Sequence, residues 1–321
     1  MSRSGSRDCS TDRPAGTSAP SVARWSLLRA RAPVVARAGS SSFREGRRQT
    51  SSMSDAAAHK EAIIRWLHLS DLHFGCPGRE AWWQAHDVFR RSIVELSAEL
   101  GGPPHLVLIT GDLTYSGQRK EFDQLDQFCS ALSGWISQGS AAGRPLLVAV
   151  PGNHDVTRPG DEAFRYAYLD LYEEEHLQSL RHKLWEKRDS GPVRPLFKSY
   201  QAWVQREMLP RLEARRSNTA DGVLEFRTSY FPGDFSLILG VGGFRLGLVG
   251  LNSAWMQYRE GDFQGRLQLP ASQFLAALPQ SQGHPLDFFK RCQRTMLLTH
   301  HPVDWLAPRA RAEFENQVLL P

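Results

Sequence analysis

Paired cysteines are missing from this sequence. Cys9, Cys76, Cys129 and Cys292 are scattered with no Cys-x-x-Cys pair, so neither a disulfide framework nor a thiolate zinc site is expected. A reducing, cytoplasmic compartment fits that usage. Long apolar runs are also missing: no stretch approaches the roughly eighteen consecutive apolar residues that a membrane span needs, so no membrane partner is expected. Lysine is absent from residues 1–52, which hold ten Arg and only three acids, Asp8, Asp12 and Glu45. That segment contributes +7, and the remaining 269 residues sum to −2. The overall charge of +5 and pI of about 9.2 therefore do not describe the rest of the chain. A nucleic-acid partner stays open but is not indicated by this charge distribution.

What is present falls into two textures. Residues 1–52 are rich in Arg, Ser, Ala, Gly and Pro, and Arg24, Arg29, Arg31 and Arg37 interrupt every apolar run long enough to resemble a signal-peptide core. Such composition suits an organellar transit peptide, a disordered leader, or translated sequence upstream of a start at Met53. Residues 1–58 are read as a disordered or targeting leader and 59–321 as the folded domain. Apolar runs at 63–69, 106–110, 146–150, 246–251 and 295–299 are nearly continuous, as expected of strands covered on both faces. Between the early ones, residues 86–100 place Phe89, Ile93, Leu96 and Leu100 at helical spacing. Phe122, Leu125, Cys129 and Leu132 repeat that spacing. This alternation predicts an α/β core with crossover connections. Residues 156–229 read as an insertion or cap, with helical candidates at 161–180 and 201–216. Residues 230–239 and 243–255 read as a strand pair joined at 240–243.

The chemistry lies where those runs end, since ligands of α/β sheets gather at the carboxyl ends of strands. Ser70-Asp71-Leu72-His73 follows the first run, Gly111-Asp112 the second, and Gly152-Asn153-His154-Asp155 the third, while the last leads into His300-His301-Pro302. Singly, each is weak, because Asp after a strand is commonly a turn former. Together they bring Asp, Asn and His without Cys to one topological place, a donor set suited to Mn, Fe or Zn.

In these motifs the chain resembles the calcineurin-like metallophosphoesterase superfamily. That family is marked by Asp-x-His (here Asp71-Leu72-His73), Gly-Asp-x-x-x-x-Gly (Gly111 to Gly117), Gly-Asn-His-Asp (Gly152 to Asp155) and a strand ending in His (Thr299-His300-His301-Pro302). A fifth motif, Gly-His-x-His, is absent: none of the nineteen residues after Pro302 is His. Either a fragment or a naturally short product is implied. The resemblance implies a four-layer αββα β-sandwich flanked by helices, C-terminally incomplete. It further implies a metal-dependent phosphoester hydrolase, phosphodiesterase or phosphomonoesterase, using a dinuclear metal-bridged hydroxide. Asp71 and His73 would hold one ion, Asp112 would bridge two, and Asn153 with His300 would hold the second. His154 would act as general acid, with Asp155 orienting its imidazole. The expected substrate is a phosphorylated small molecule or nucleotide. The competing reading is a non-catalytic binding or regulatory module that keeps the fold without a complete metal centre.

Other residues have plainer explanations. Trp82-Trp83 and Tyr115 suit packing or loop anchoring better than base stacking. His301 is read as a supporting donor or substrate contact, Asn252-Ser253 as strand-ending turn formers outside the site, and Arg206, Arg211, Arg215 and Arg216 as a solvated helix face.

Overall fold

The computed structural model describes residues 23–31, 61–77, 86–137, 144–158, 174–259, 261–279 and 284–319. Two mixed four-stranded sheets form the core, ordered β1-β2-β3-β4 and β5-β6-β7-β8. In the first, β2 (Glu61–Leu69), β3 (Leu106–Thr110) and β4 (Leu146–Val150) run parallel. Helices α1 (His86–Glu99) and α2 (Arg119–Ser137) supply the crossovers. Every residue of β3 and β4 is buried, as a strand covered on both faces requires. β2 is mixed, with Ile64, Leu67 and Leu69 buried and Arg65 and His68 half-buried.

β1 (Ala23–Arg31) pairs antiparallel with β2, from Ala23 opposite Leu69 to Arg31 opposite Glu61. This strand lies inside the stretch that composition assigns to a leader. Residues 1–22 and 32–60 lie outside the described residues.

The second sheet comprises β5 (Gly222–Thr228), β6 (Phe235–Val241), β7 (Phe244–Gly250) and β8 (Arg294–Leu298). β5, β6 and β7 are antiparallel neighbours, and β7 pairs with β8 in parallel. Gly242 and Gly243, both at positive φ, close the turn between β6 and β7. β6 begins later than the apolar pattern implies, because residues 229–234 form a turn closed by Ser229 N–H donating to the Asp234 carbonyl at 2.9 Å. One buried cluster joins the sheets, with Leu67, Val107 and Val148 from the first and Leu237, Leu246 and Leu248 from the second.

The stretch read as an insertion contributes to this core. It holds α3 (Glu174–Arg181), α4 (Lys198–Trp203), α5 (Leu209–Glu213) and β5 itself. Residues 161–173 of the first helical candidate lie outside the described residues, as do Trp82 and Trp83. Phe197, Tyr200 and Trp203 are fully buried, and the Tyr200 hydroxyl donates to the Ala149 carbonyl of β4 at 2.8 Å. Arg206 pairs with Asp126 and Asp123, and Arg211 donates to Ser133. These arginines strap the segment to α2 and are more than a solvated face. Helices α6 (Ala271–Ala277), α7 (Asp287–Lys290) and α8 (Pro308–Phe314) complete the described fold. Among the described residues no helix is long and apolar enough to cross a membrane. Cys129 and Cys292 are free, whereas Cys76 is disulfide-bonded, a departure from the disulfide-free reading.

Asp234, before β6, is a buried carboxyl whose Oδ2 has no hydrogen-bond partner among the described residues. Burial raises its pKa well above the usual value, against the opposing donors Asn252 N–H and Gln273. A folded-state pKa above the unfolded one means stability is full below the unfolded pKa and is lost as pH rises through the folded pKa. Asp234→Asn keeps the Oδ1 acceptor and removes the charge. Its melting temperature is expected to exceed wild type at pH 8 and to converge on it near pH 4, as thermal unfolding across that range would show.

Candidate metal centre

The loops after β2 and β3 are zipped together by backbone hydrogen bonds. Asp71 N–H donates to Gly111 O at 3.2 Å, His73 N–H to Asp112 O at 2.9 Å, and Phe74 N–H to Leu113 O at 3.1 Å. Tyr115 N–H returns a bond to Phe74 O at 2.9 Å. Within the first loop Leu72 is buried in the core, and Asp71 and His73 on either side of it face the opposite way. The turn that achieves this is strained: Asp71, His73 and Asp112 have φ of 58°, 48° and 50°. Left-handed backbone at non-glycine residues costs of order 1–3 kcal/mol each and persists only where surrounding contacts enforce it.

Two groups of donors result, His73/Asp112/His154 and Asp71/Asp112/His300, each with ligand atoms within 4.8 Å of one another. Asp112 belongs to both. His73 Nε2 lies 3.7 Å from Asp112 Oδ2 and 4.0 Å from Asp71 Oδ1, and His300 Nε2 lies 3.4 Å from Asp112 Oδ1. Asp71, His73, Asp112 and His300 thus meet, as the motifs imply. The groups cut across the family-derived division, since Asp71 falls with His300 and His73 with His154. Asn153 opens the 3-10 turn Asn153–Asp155 beside them.

The histidines are set for this task by carbonyls. His300 Nδ1 donates to Thr110 O at 2.8 Å, and His154 Nδ1 to Tyr115 O at 2.8 Å. Because a carbonyl can only accept, each ring carries its proton on Nδ1 and leaves Nε2 for the centre. Burial alone would raise the Asp112 carboxyl, but the charge and hydrogen bond of His300, with His154 and His73, hold it well below the usual carboxylate range. Burial opposes a charged His300, yet Asp112 raises it to about 10. A buried anion ringed by imidazoles is what a cation site presents when protons stand in for metal, and the Asp and His donors fit Mn, Fe or Zn.

Asp155 does something other than orient His154. Its carboxylate accepts from Leu113 N–H (3.1 Å), Thr114 N–H (2.8 Å), the Thr114 hydroxyl (2.9 Å) and Gly152 N–H (2.8 Å). It staples the third motif to the second, and the Tyr115 carbonyl orients His154 instead. Burial, then the Asp112 charge, push Asp155 up to about 6 against those donors. The ring of Tyr115 stacks on His154 with centroids 5.6 Å apart, and His73 meets His154 edge-on at 4.6 Å.

Two glycines make room. A Cβ on Gly111 would stand 2.5 Å from His300 Cγ, and one on Gly152 would collide with Asp112 Oδ1. The sequence reading leaves Ser253 outside the site as a turn former, yet its hydroxyl lies 2.9 Å from His301 Nδ1 beside His300. No sequence signal separates it from an ordinary strand-ending residue.

The fold and the shared carboxylate define an α/β protein with Asp/His groups able to hold metal. Residues 64–206 match the family model of the calcineurin-like phosphoesterases, which supports the metallophosphoesterase superfamily for this chain. The match takes in the first three motifs and ends before His300. Comparison with curated proteins finds no match.

Gly152 has an ordinary φ of −106°, so alanine there meets no left-handed strain, and its Cβ presses on both the carboxylate and the backbone nitrogen of Asp112. Gly152→Ala is expected to displace the Asp112 carboxylate and weaken Mn2+ binding by about tenfold or more. Calorimetric titration with the metal, beside circular dichroism to confirm the fold, would check this.

Proposed function

We propose that this chain hydrolyses phosphate esters with two divalent or trivalent cations, Mn, Fe or Zn, which Asp112 and the donors around it would hold. The observation that carries the reading is the sharing of that one buried carboxylate between two donor groups. Bound cations would supply the charge that polarises the phosphate and makes water a competent nucleophile at neutral pH. Everything else falls to the chain. Asp71, His73, Asn153 and His300 complete the ligand set around Asp112. His154, anchored through Nδ1, presents Nε2, and as the doubly protonated imidazolium it gives the Nε2 proton to the leaving oxygen as the ester P–O bond breaks and the bond from the water-derived oxygen to phosphorus forms, the Nδ1 proton staying hydrogen-bonded to the Tyr115 carbonyl. The site has an open side, with Asp71 38% exposed in its side chain. The near-neutral balance of residues 53–321 favours a phosphorylated small molecule or nucleotide over a polyanion.

A second reading, a non-catalytic binding module on the same fold, is favoured by the size of the donor groups. Each offers only three His or Asp ligands among the described residues.

The two readings part on a panel of p-nitrophenyl phosphate and bis(p-nitrophenyl) phosphate with added Mn2+. Hydrolysis that a chelator abolishes is expected, and uptake of Mn2+ with no turnover of either ester would favour the binding module. His154→Ala is expected to lower kcat by about a hundredfold or more with metal content unchanged. Parallel loss of metal would make His154 a ligand.

A further inference from the structure

Beyond the donors around Asp112, a line of buried polar side chains runs from α6 to His300. Gln273 on α6 donates through Nε2 to Asp234 Oδ1 at 3.1 Å and to the Asn252 carbonyl at 3.0 Å. Asp234 Oδ1 also accepts from Asn252 N–H at 2.7 Å. Asn252 in turn donates through Nδ2 to Pro232 O at 2.9 Å, and its Oδ1 accepts from Ala254 N–H at 2.9 Å. The backbone on both sides of Ser253 is thereby fixed. Ser253 Oγ accepts His301 N–H at 3.0 Å and lies 2.9 Å from His301 Nδ1. The His301 ring stands edge-on to His300, centroids 4.6 Å apart, and against Trp305 at 5.1 Å. Gln273, Asp234, Asn252, Ser253 and His301 are all 3% exposed or less.

Ser253 Oγ accepts from the His301 backbone and is also within hydrogen-bond distance of the ring's Nδ1, so one hydroxyl holds both the main chain and the side chain of His301. Ser253 is then the sole hydrogen-bond partner of that imidazole among the described residues, since Nε2 has none. Apolar side chains would fill this space at a lower desolvation cost. What the polar groups add is direction, because a hydrogen-bonded ring is held in one rotamer and one plane. His300 needs such a wall. One side of its ring is set by the Thr110 carbonyl and by the absent Cβ of Gly111, and the other by His301.

We infer that Ser253 and His301 are positioning residues for His300, holding its imidazole so that Nε2 faces Asp112. This inference rests on the metal-centre reading above. Asn252 and Asp234 anchor the far end of the same line to the second sheet, and the outer arm of the centre depends on them.

The test is a calorimetric Mn2+ titration of the full chain, run well below its melting temperature, with hydrolysis assayed separately. Ser253→Ala and His301→Leu are expected to raise the Mn2+ Kd by about tenfold to a hundredfold, the range found when partners behind metal ligands are removed. His301→Asn, which returns a side-chain oxygen close to the Nδ1 position, is expected to recover part of that loss. Tyr200→Phe serves as the structural control, because it removes a buried hydrogen bond to Ala149 that neither His300 nor His301 shares, and it should lower the melting temperature without moving the Kd. Wild-type affinity in Ser253→Ala and His301→Leu would overturn the inference. So would Kd increases no larger than Tyr200→Phe produces for the same loss of melting temperature. If His301→Leu does not fold, Ser253→Ala and His301→Asn decide alone. Absence of Mn2+ uptake by wild type would overturn the metal-centre reading and this inference with it, a pattern distinct from tight wild-type binding that the variants leave unchanged.

Discussion

The structure turns on one buried charge, the Asp112 carboxylate. It is 4% exposed, and removing an ion of that kind from water costs several kcal/mol unless partners surround it. Its partners come from three separate stretches: His73 after β2, His154 and its backbone N–H after β4, and His300 after β8. The left-handed backbone at Asp71, His73 and Asp112 is the conformational cost of turning donors toward the carboxylate while Leu72 and Leu113 remain in the core. The zipper between the two loops and the Asp155 staple hold the strain in place. A chain that only had to close two βα connections would have no need of either.

Much of this was legible because chemistry and strand ends coincide in the sequence. β3 and β4 are unmixed apolar runs, and their ends put Asp112 and Asn153-His154 where parallel strands place ligands. β5 was illegible for the opposite reason. Leu224, Glu225, Phe226 and Arg227 are all half-buried and a register shift falls between Val223 and Glu225, so neither the alternating nor the continuous pattern shows. β1 was hidden by composition, since its three arginines resemble the segment around it. Its place comes from nine paired positions along β2, which is tertiary information.

The expected contact between Asp155 and the His154 ring failed for a geometric reason. Adjacent residues in a 3-10 turn project about 120° apart, at three residues per turn, so neighbours in sequence cannot share a direction. His154 points to the centre, and Asp155 points back beneath it to the amides of Leu113, Thr114 and Gly152. The function left to Asp155 is mechanical, and it fixes the spacing between Asp112 and His154. Asn252 and Ser253 illustrate the reverse case. Reading Asn252 as a strand-ending turn former is right as far as it goes, for its side chain does accept from Ala254 N–H. The contact of Ser253 with His301, forty-eight positions away, has no local signature.

The donors also divide unevenly between the sheets. Asp71, His73, Asp112 and His154 all follow strands of the first sheet and are cross-linked by its own loops. His300 alone follows a strand of the second, and β8 is a half-exposed edge with Arg294 and Thr295 open to solvent. Such a strand cannot fix a side chain to within a fraction of an ångström through its ladder to β7 alone. Its terminal histidine is located instead from two sides, by the Thr110 carbonyl across the seam and by the buried polar line behind it. Ions bound here would therefore tie the sheets together as well as hold a substrate. Because they bind the folded chain and not the unfolded one, their binding energy adds to the stability of that seam.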